Sequence, residues 1–269
     1  MNTQRRTWFT GLLAAVALLA GCAVTPPPAP TPEARVALTP TGVLRVGVYA
    51  GSPTSLVVDK RGRNAGVAHD LGKELARWLN SPFELVEFNR IAEVLEAMKA
   101  GQVDFTFTNA TEARARDVDF TLPLVSLELG YLVPPGSKLR NANEIDRVGV
   151  KVGVSEGSTS QGVLSRAYRQ AQVAPVPTLK TAIEQLRLGR LDAFATNKGI
   201  LYEMSDNLPG SRVLDGRWGL ENLAIAVPKG RQAGLSYLSH FALTVRRDGT
   251  LQSAISRAGL RGTVDPALR

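Results

Sequence analysis

Two stretches of this chain are written twice. Leu44-Arg45-Val46-Gly47-Val48-Tyr49-Ala50-Gly51-Ser52 has a counterpart in Val150-Lys151-Val152-Gly153-Val154-Ser155-Glu156-Gly157-Ser158, each a short apolar run, a loop and a Gly-Ser pair. Val94 through Asn109 is echoed by Ala182 through Asn197, with Glu96/Glu184, Gly101/Gly189, Asp104/Asp192, Thr108/Thr196 and Asn109/Asn197 in common. The first pair is 106 residues apart (44 to 150) and the second 88 (94 to 182). Unequal offsets exclude a tandem array and leave two units of one design carrying different insertions. Such a chain folds as two lobes.

The design itself is α/β. Leu44 to Val48 reads as a strand, and Asp70 to Leu79 as a helix with Leu71, Leu75, Trp78 and Leu79 on one face. Phe83 to Phe88 follows as a strand, Ile91 to Ala100 as a helix stopped by Gly101, and Val103 to Phe107 as a strand. Strands alternating with helices give a largely parallel sheet in each lobe. Leu127 to Val133 and Leu223 to Val227 are extended apolar runs placed where the chain passes from one lobe to the other and back, so they are the candidate hinge strands.

In open α/β sheets a ligand sits beyond the carboxyl ends of the strands, where loops expose amides and hydroxyls and helices begin. Four loops qualify: Ser52 to Ser55 and Thr108 to Thr111 in the first half, Ser158 to Ser160 and Thr196 to Asn197 in the second. Facing lobes would enclose a polar cleft between them.

Composition closes off several alternatives. Thirty-two Lys and Arg against 24 Asp and Glu leave +8, but the basic residues are scattered and form no nucleic-acid stripe. One Cys and two His supply no metal-ligand spacing and no disulfide within the chain. His69 and His240 sit beside no nucleophile and read as structural, and Asp104 and Asp192 read as braces of the Gly-x-x-Asp turns.

The amino-terminal segment reads as an address. Arg5 and Arg6 precede an apolar run from Leu12 to Ala20, about half of the roughly 20 residues that a spanning helix needs. Leu19-Ala20-Gly21-Cys22 resembles a bacterial lipobox, which implies a signal peptide over residues 1–21, lipidation of Cys22 and a membrane-anchored periplasmic protein. Gln4 to Phe9 also resembles a twin-arginine signal. Residues 22–42 contain Pro26-Pro27-Pro28 and read as an extended tether.

Eight pieces of the body, in order, resemble the type II periplasmic solute-binding proteins of the polar amino-acid uptake class, bacterial family 3. They are LRVGV at 44–48, GVAHDLGKEL at 66–75, EAMKAGQVD at 96–104, TEARARDVDF at 111–120, VKVGVSEGSTS at 150–160, LRLGRLDAF at 186–194, LAIAVPKG at 223–230 and DGTL at 248–251. The resemblance implies a two-lobed fold in which each lobe is a mainly parallel sheet flanked by helices, joined by a two-strand hinge. Lobe 1 would comprise residues 43–129 and 218–269, and lobe 2 residues 130–217. It implies a monomeric binding protein, without cofactor, metal or catalytic activity, that hands a small solute to an inner-membrane ABC permease.

The family's carboxylate clamp falls on Arg114, five residues before Asp119; a guanidinium fork matches two carboxylate oxygens. By the same carry-over Thr108 and Asn109 from lobe 1, and Thr159 and Ser160 from lobe 2, would meet the ligand, with Tyr49 and Ser52 at the end of the first strand. The departure is Asn197, where relatives place an acid for the ligand's ammonium. An amide compensates an ammonium poorly, so the expected ligand is a small anion, an amino acid or another carboxylate. A sensor lipoprotein uses the same cleft, and a cyclohexadienyl-dehydratase-like enzyme would need an acid near Gln161, where an amide stands.

Overall fold

Leu44, Val46 and Val48 are almost wholly buried, and the strand that carries them, Leu44–Tyr49 (β1), pairs in parallel with Phe83–Phe88 (β4) along its full length. The computed structural model describes residues 27–264. The expected signal peptide, residues 1–21, and Cys22 lie outside the described residues. Between β1 and β4 come a two-rung ribbon, Val57–Val58 (β2) and Asn64–Ala65 (β3), and the helix Val67–Leu79 (α2), whose Leu71, Leu75 and Leu79 are fully buried. Ile91–Lys99 (α3) ends before Gly101, whose φ of +70° suits the left-handed turn into Thr106–Asn109 (β5). Val118–Phe120 (β6) completes this part of lobe 1.

Lobe 2 repeats the plan. Lys151–Ser155 (β8), Thr159–Ala167 (α4), Gln172–Val176 (β9), Leu179–Arg187 (α5), Ala193–Asn197 (β10), Lys198–Asp206 (α6) and the short Arg212–Val213 (β11) follow in order. β8 pairs in parallel with both β9 and β10. The duplication holds at atomic detail. The Asp104 carboxylate accepts the Arg45 amide at 3.1 Å, and the Asp192 carboxylate accepts the Lys151 amide at 2.8 Å, so each Gly-x-x-Asp turn is pinned to the root of its own first strand. Gly47 and Gly153 are equivalent too: an added Cβ would lie 2.8 Å from Val94 Cγ1 in one lobe and 2.5 Å from Leu191 Cδ1 in the other. Only glycine lets the neighbouring side chains press that close to the strand.

Val125–Val133 (β7) and Gly219–Pro228 (β12) run between the lobes, longer at their ends than the apolar runs that announced them. β7 pairs antiparallel with β12 through Val125 to Leu129 and with β10 through Leu129 to Leu132, while β12 pairs with β5 through Leu223 to Ala226. One curled sheet therefore passes from lobe 1 to lobe 2, with its two antiparallel strands at the crossing. The chain returns to lobe 1 as Gln232–Arg247 (α7) and Thr250–Arg257 (α8), and Thr263–Val264 (β13) adds to β7.

The expected tether is shorter than residues 22–42. Pro32–Leu38 (α1) is a helix: Thr31 caps it by accepting the Ala34 amide at 3.1 Å, Pro32 occupies its first turn, and Ala34 and Leu38 are buried. A Thr-Pro start and apolar residues four apart are helix signals that the preceding proline run obscured. Tyr237 on α7 donates to the Pro28 carbonyl at 3.0 Å, so the chain already touches the body at residue 28. Among the described residues no helix is long and apolar enough to cross a membrane, and no cluster of His, Cys, Asp and Glu could hold a metal.

Candidate functional site

β1 and β5 of lobe 1 and β8 and β10 of lobe 2 end at the same cleft, as strands of one design must when two copies face each other. The cleft is a cavity of about 30 Å³ lined from both lobes and by Glu221 and Leu223 of the crossing strand β12. Tyr49, Thr108, Asn109, Arg114, Thr159, Ser160 and Asn197 all line it. Ser52 does not: it is fully buried, its hydroxyl lies 2.9 Å from that of Thr54, and its amide is bonded to the Leu56 carbonyl. The sharp Gly51-Ser52 turn points this side chain into the loop it braces rather than toward the cleft.

Arg114 is held from lobe 1. Its Nη1 donates to the Thr108 hydroxyl at 2.8 Å and to the Asn109 carbonyl at 3.2 Å, and its own amide donates to the Thr111 hydroxyl at 3.2 Å. Thr108 and the Asn109 backbone thus set the direction of the guanidinium. The Asn109 side chain is occupied elsewhere, accepting the Asn222 amide at 3.0 Å and so tying β5 to β12. Burial pulls the Arg114 pKa down, and the charges of Glu221 and Tyr49 act against that shift.

Lobe 2 faces Arg114 with helix beginnings. Ser158 caps α4 by accepting the Gln161 amide at 3.1 Å, which leaves Thr159 and Ser160 in the first turn beside the cavity. Asn197 caps α6, its Oδ1 accepting the Ile200 amide at 3.0 Å. First-turn amides have no acceptor inside their own helix and carry the positive end of its dipole, so two such ends with one guanidinium make a setting for a carboxylate.

Glu221 is a residue that sequence reasoning missed, as is Arg90 on the lobe 1 wall. Glu221 is buried on β12, lines the cavity and accepts from Asn197 Nδ2 at 3.0 Å. Burial pushes its carboxyl pKa up, while Arg114 and the Asn197 amide act to lower it. The available signal was one acid, Glu221, just before the apolar run 223–227. The charge absent at Asn197 is therefore present one residue away in space, and a cleft expected to lack a carboxylate has one. Tyr49 packs on the lobe 2 core beside Leu179; burial pushes its phenol pKa up, opposed by bonding to Ser52.

The lobes also touch at the rim. Arg90 of lobe 1 reaches Glu156 of lobe 2 at 3.3 Å, and a Cβ on Gly157 would lie 2.5 Å from the Ala92 Cβ across the gap.

Residues 44–258 match the family described as bacterial extracellular solute-binding proteins, family 3. The ABC transporter glutamine-binding protein GlnH of Bacillus subtilis (strain 168) is 25% identical over 192 residues, covering 70% of each chain. A protein of Neisseria gonorrhoeae described as "Probable histidine-binding protein" is 25% identical over 257 residues, covering 93% of each. Among solved structures, a solute receptor for L-cysteine from Neisseria gonorrhoeae superposes with a TM-score of 0.74 at 26% identity, over 83% of this chain and 92% of that one. The names of the three each give an amino acid: glutamine, histidine or L-cysteine.

Proposed function

The chain belongs to the bacterial extracellular solute-binding proteins, family 3, and from that premise we propose that it captures a small amino acid for an ABC permease. The α-carboxylate meets Arg114 and the first turn of α4, and the α-ammonium meets Glu221. One observation carries this reading: a half-buried guanidinium and a buried carboxylate line the same cavity from lobe 1 and the hinge. The anion expected from Asn197 alone becomes the anionic end of a zwitterion, because Glu221 supplies the countercharge. Both ionic ends are then paired, which burial of a charge requires.

The cavity is small enough that a solute enters only when the lobes part, and closure then removes it from water. The contacts of Arg90 with Glu156 and of Gly157 with Ala92 support a closed arrangement. Catalysis of the dehydratase type has no acid at the head of α4: Gln161 stands there and accepts the Gly157 amide at 2.6 Å. Export with lipidation at Cys22, in a periplasmic protein anchored to the membrane, completes the proposal; labelling with radioactive palmitate, lost on Cys22→Ser, tests that part.

Calorimetry of the purified protein against the common amino acids tests the main reading. The expected result is saturable binding that Arg114→Ala weakens at least a hundred-fold, since charge-assisted bonds contribute roughly 1.5–3 kcal/mol each and two are lost. Glu221→Gln should weaken amino acids far more than their deaminated carboxylates. Equal binding of both ligand types by the unaltered protein would remove Glu221 from the ammonium site.

A further inference from the structure

Arg90 lies on the lobe 1 wall of the cleft, between β4 and α3, and no piece of the family resemblance includes it. Its two terminal nitrogens are engaged: Nη1 donates to Glu93 at 2.5 Å and Nη2 lies 3.3 Å from Glu156 across the cleft. Its third nitrogen is not. Arg90 Nε is buried and has no hydrogen-bond partner, although the residue lines the cavity. A buried donor left without an acceptor is uncommon in folded proteins, and one beside a ligand cavity calls for an acceptor on the ligand.

We infer that Arg90 is a specificity-determining residue whose Nε–H reads a neutral oxygen on the side chain of the bound amino acid, a hydroxyl or a carboxamide. The inference rests on the amino-acid reading above and adds the class of side chain. Charge selects a neutral acceptor over a carboxylate, because two glutamates already face this one guanidinium and a third negative group would be repelled. Of Arg90's chain neighbours on the lobe 1 wall, Ile91 offers no hydrogen bond and the Asn89 amide already donates to Glu93 at 3.0 Å. Polar recognition on this side falls to Arg90.

The test compares ligands matched in shape by calorimetry: serine against alanine, asparagine against leucine, with aspartate as the charged control. The unaltered protein should prefer the hydroxyl or carboxamide member of a pair by roughly ten-fold, the worth of one hydrogen bond from a charged donor, and should bind asparagine more tightly than aspartate. Arg90→Lys keeps a positive charge opposite Glu156 but has no donor at the Nε position, so it should lose the preference while keeping its affinity for the apolar members. Glu156→Gln should weaken all ligands by one common factor, because it loosens the rim and leaves Nε in place. An unaltered protein without polar preference, or an Arg90→Lys variant that keeps it, overturns the inference while amino-acid binding stands. Failure of every amino acid to bind the unaltered protein overturns the amino-acid reading, and this inference with it.

Discussion

Asn197 uses both ends of its amide: Oδ1 receives the Ile200 amide at 3.0 Å and Nδ2 donates to Glu221 at 3.0 Å. One side chain thereby starts helix α6 and braces the cleft carboxylate on β12. The two bonds fix which end of the amide points where, and they explain why an amide can stand here while the negative charge sits on the neighbouring strand.

Asn197→Asp should keep the helix cap and damage the carboxylate. An aspartate caps as well as an asparagine, but it would set a second negative oxygen about 3 Å from Glu221, and one of the two carboxyls would then hold its proton to higher pH. A carboxyl whose pKa is raised by folding keeps a proton that the unfolded chain has released. Stability therefore falls as pH rises between the unfolded and the folded value. Glu221 already has this sign, being pushed up from 4.5 by burial. The variant should lose melting temperature more steeply than the unaltered protein as pH rises above about 4.5. Parallel curves for the two proteins would show that Asn197 and Glu221 do not interact.

The repeat made the strand-and-turn skeleton legible because its residues have local jobs. Asp104 and Asp192 each bind a backbone amide of their own lobe, and Gly47 and Gly153 each yield space to a packed side chain, so the same letters recur in the same places. Arg114 was legible through the family resemblance, whose carboxylate clamp falls five residues before Asp119. Glu221 was not, because its partners Asn197 and Arg114 come to it through the pairing of β12 across two other strands, and no sequence period encodes that register. Ser52 misled for a smaller reason: the direction of one side chain at a tight turn depends on the Thr54 hydroxyl it meets. Helix α1 was hidden because a proline run announces extended chain, whereas a single proline after a capping threonine announces a helix.

Contact with the opposite lobe gives Gly157 a second constraint beyond its backbone. Its φ is +70°, so any side chain there is strained, and its Cβ would also strike Ala92 on the opposite lobe at 2.5 Å. Gly189 separates the two effects, since its φ is +65° with nothing within 4 Å of an added Cβ. Gly189→Ala should cost about 1–2 kcal/mol of stability, the usual left-handed penalty, and leave ligand affinity unchanged. Gly157→Ala should cost a similar amount of stability and also lower affinity, because the lobes cannot shut fully on the ligand. Equal affinity in the two variants would mean that the contact at Ala92 is not made when ligand is bound.

The packing of α1 makes a prediction that separates a tether from a structural helix. Leu38 is 2% exposed and shares the lobe 1 core with Leu238 and Phe241 on α7. It fits there because position 234 is glycine: a Cβ on Gly234 would lie 2.6 Å from Leu38 Cγ. Leu38→Ala should therefore cost about 2–5 kcal/mol in urea unfolding, the range for truncating a buried leucine whose surroundings relax only in part. Val36 on the same helix is 65% exposed, and Val36→Ala should change stability by no more than about 0.5 kcal/mol. If residues 22–42 served only as a tether, neither variant would move the unfolding midpoint. A shift confined to Leu38→Ala assigns α1 to the folded body and removes residues 32–38 from any tether.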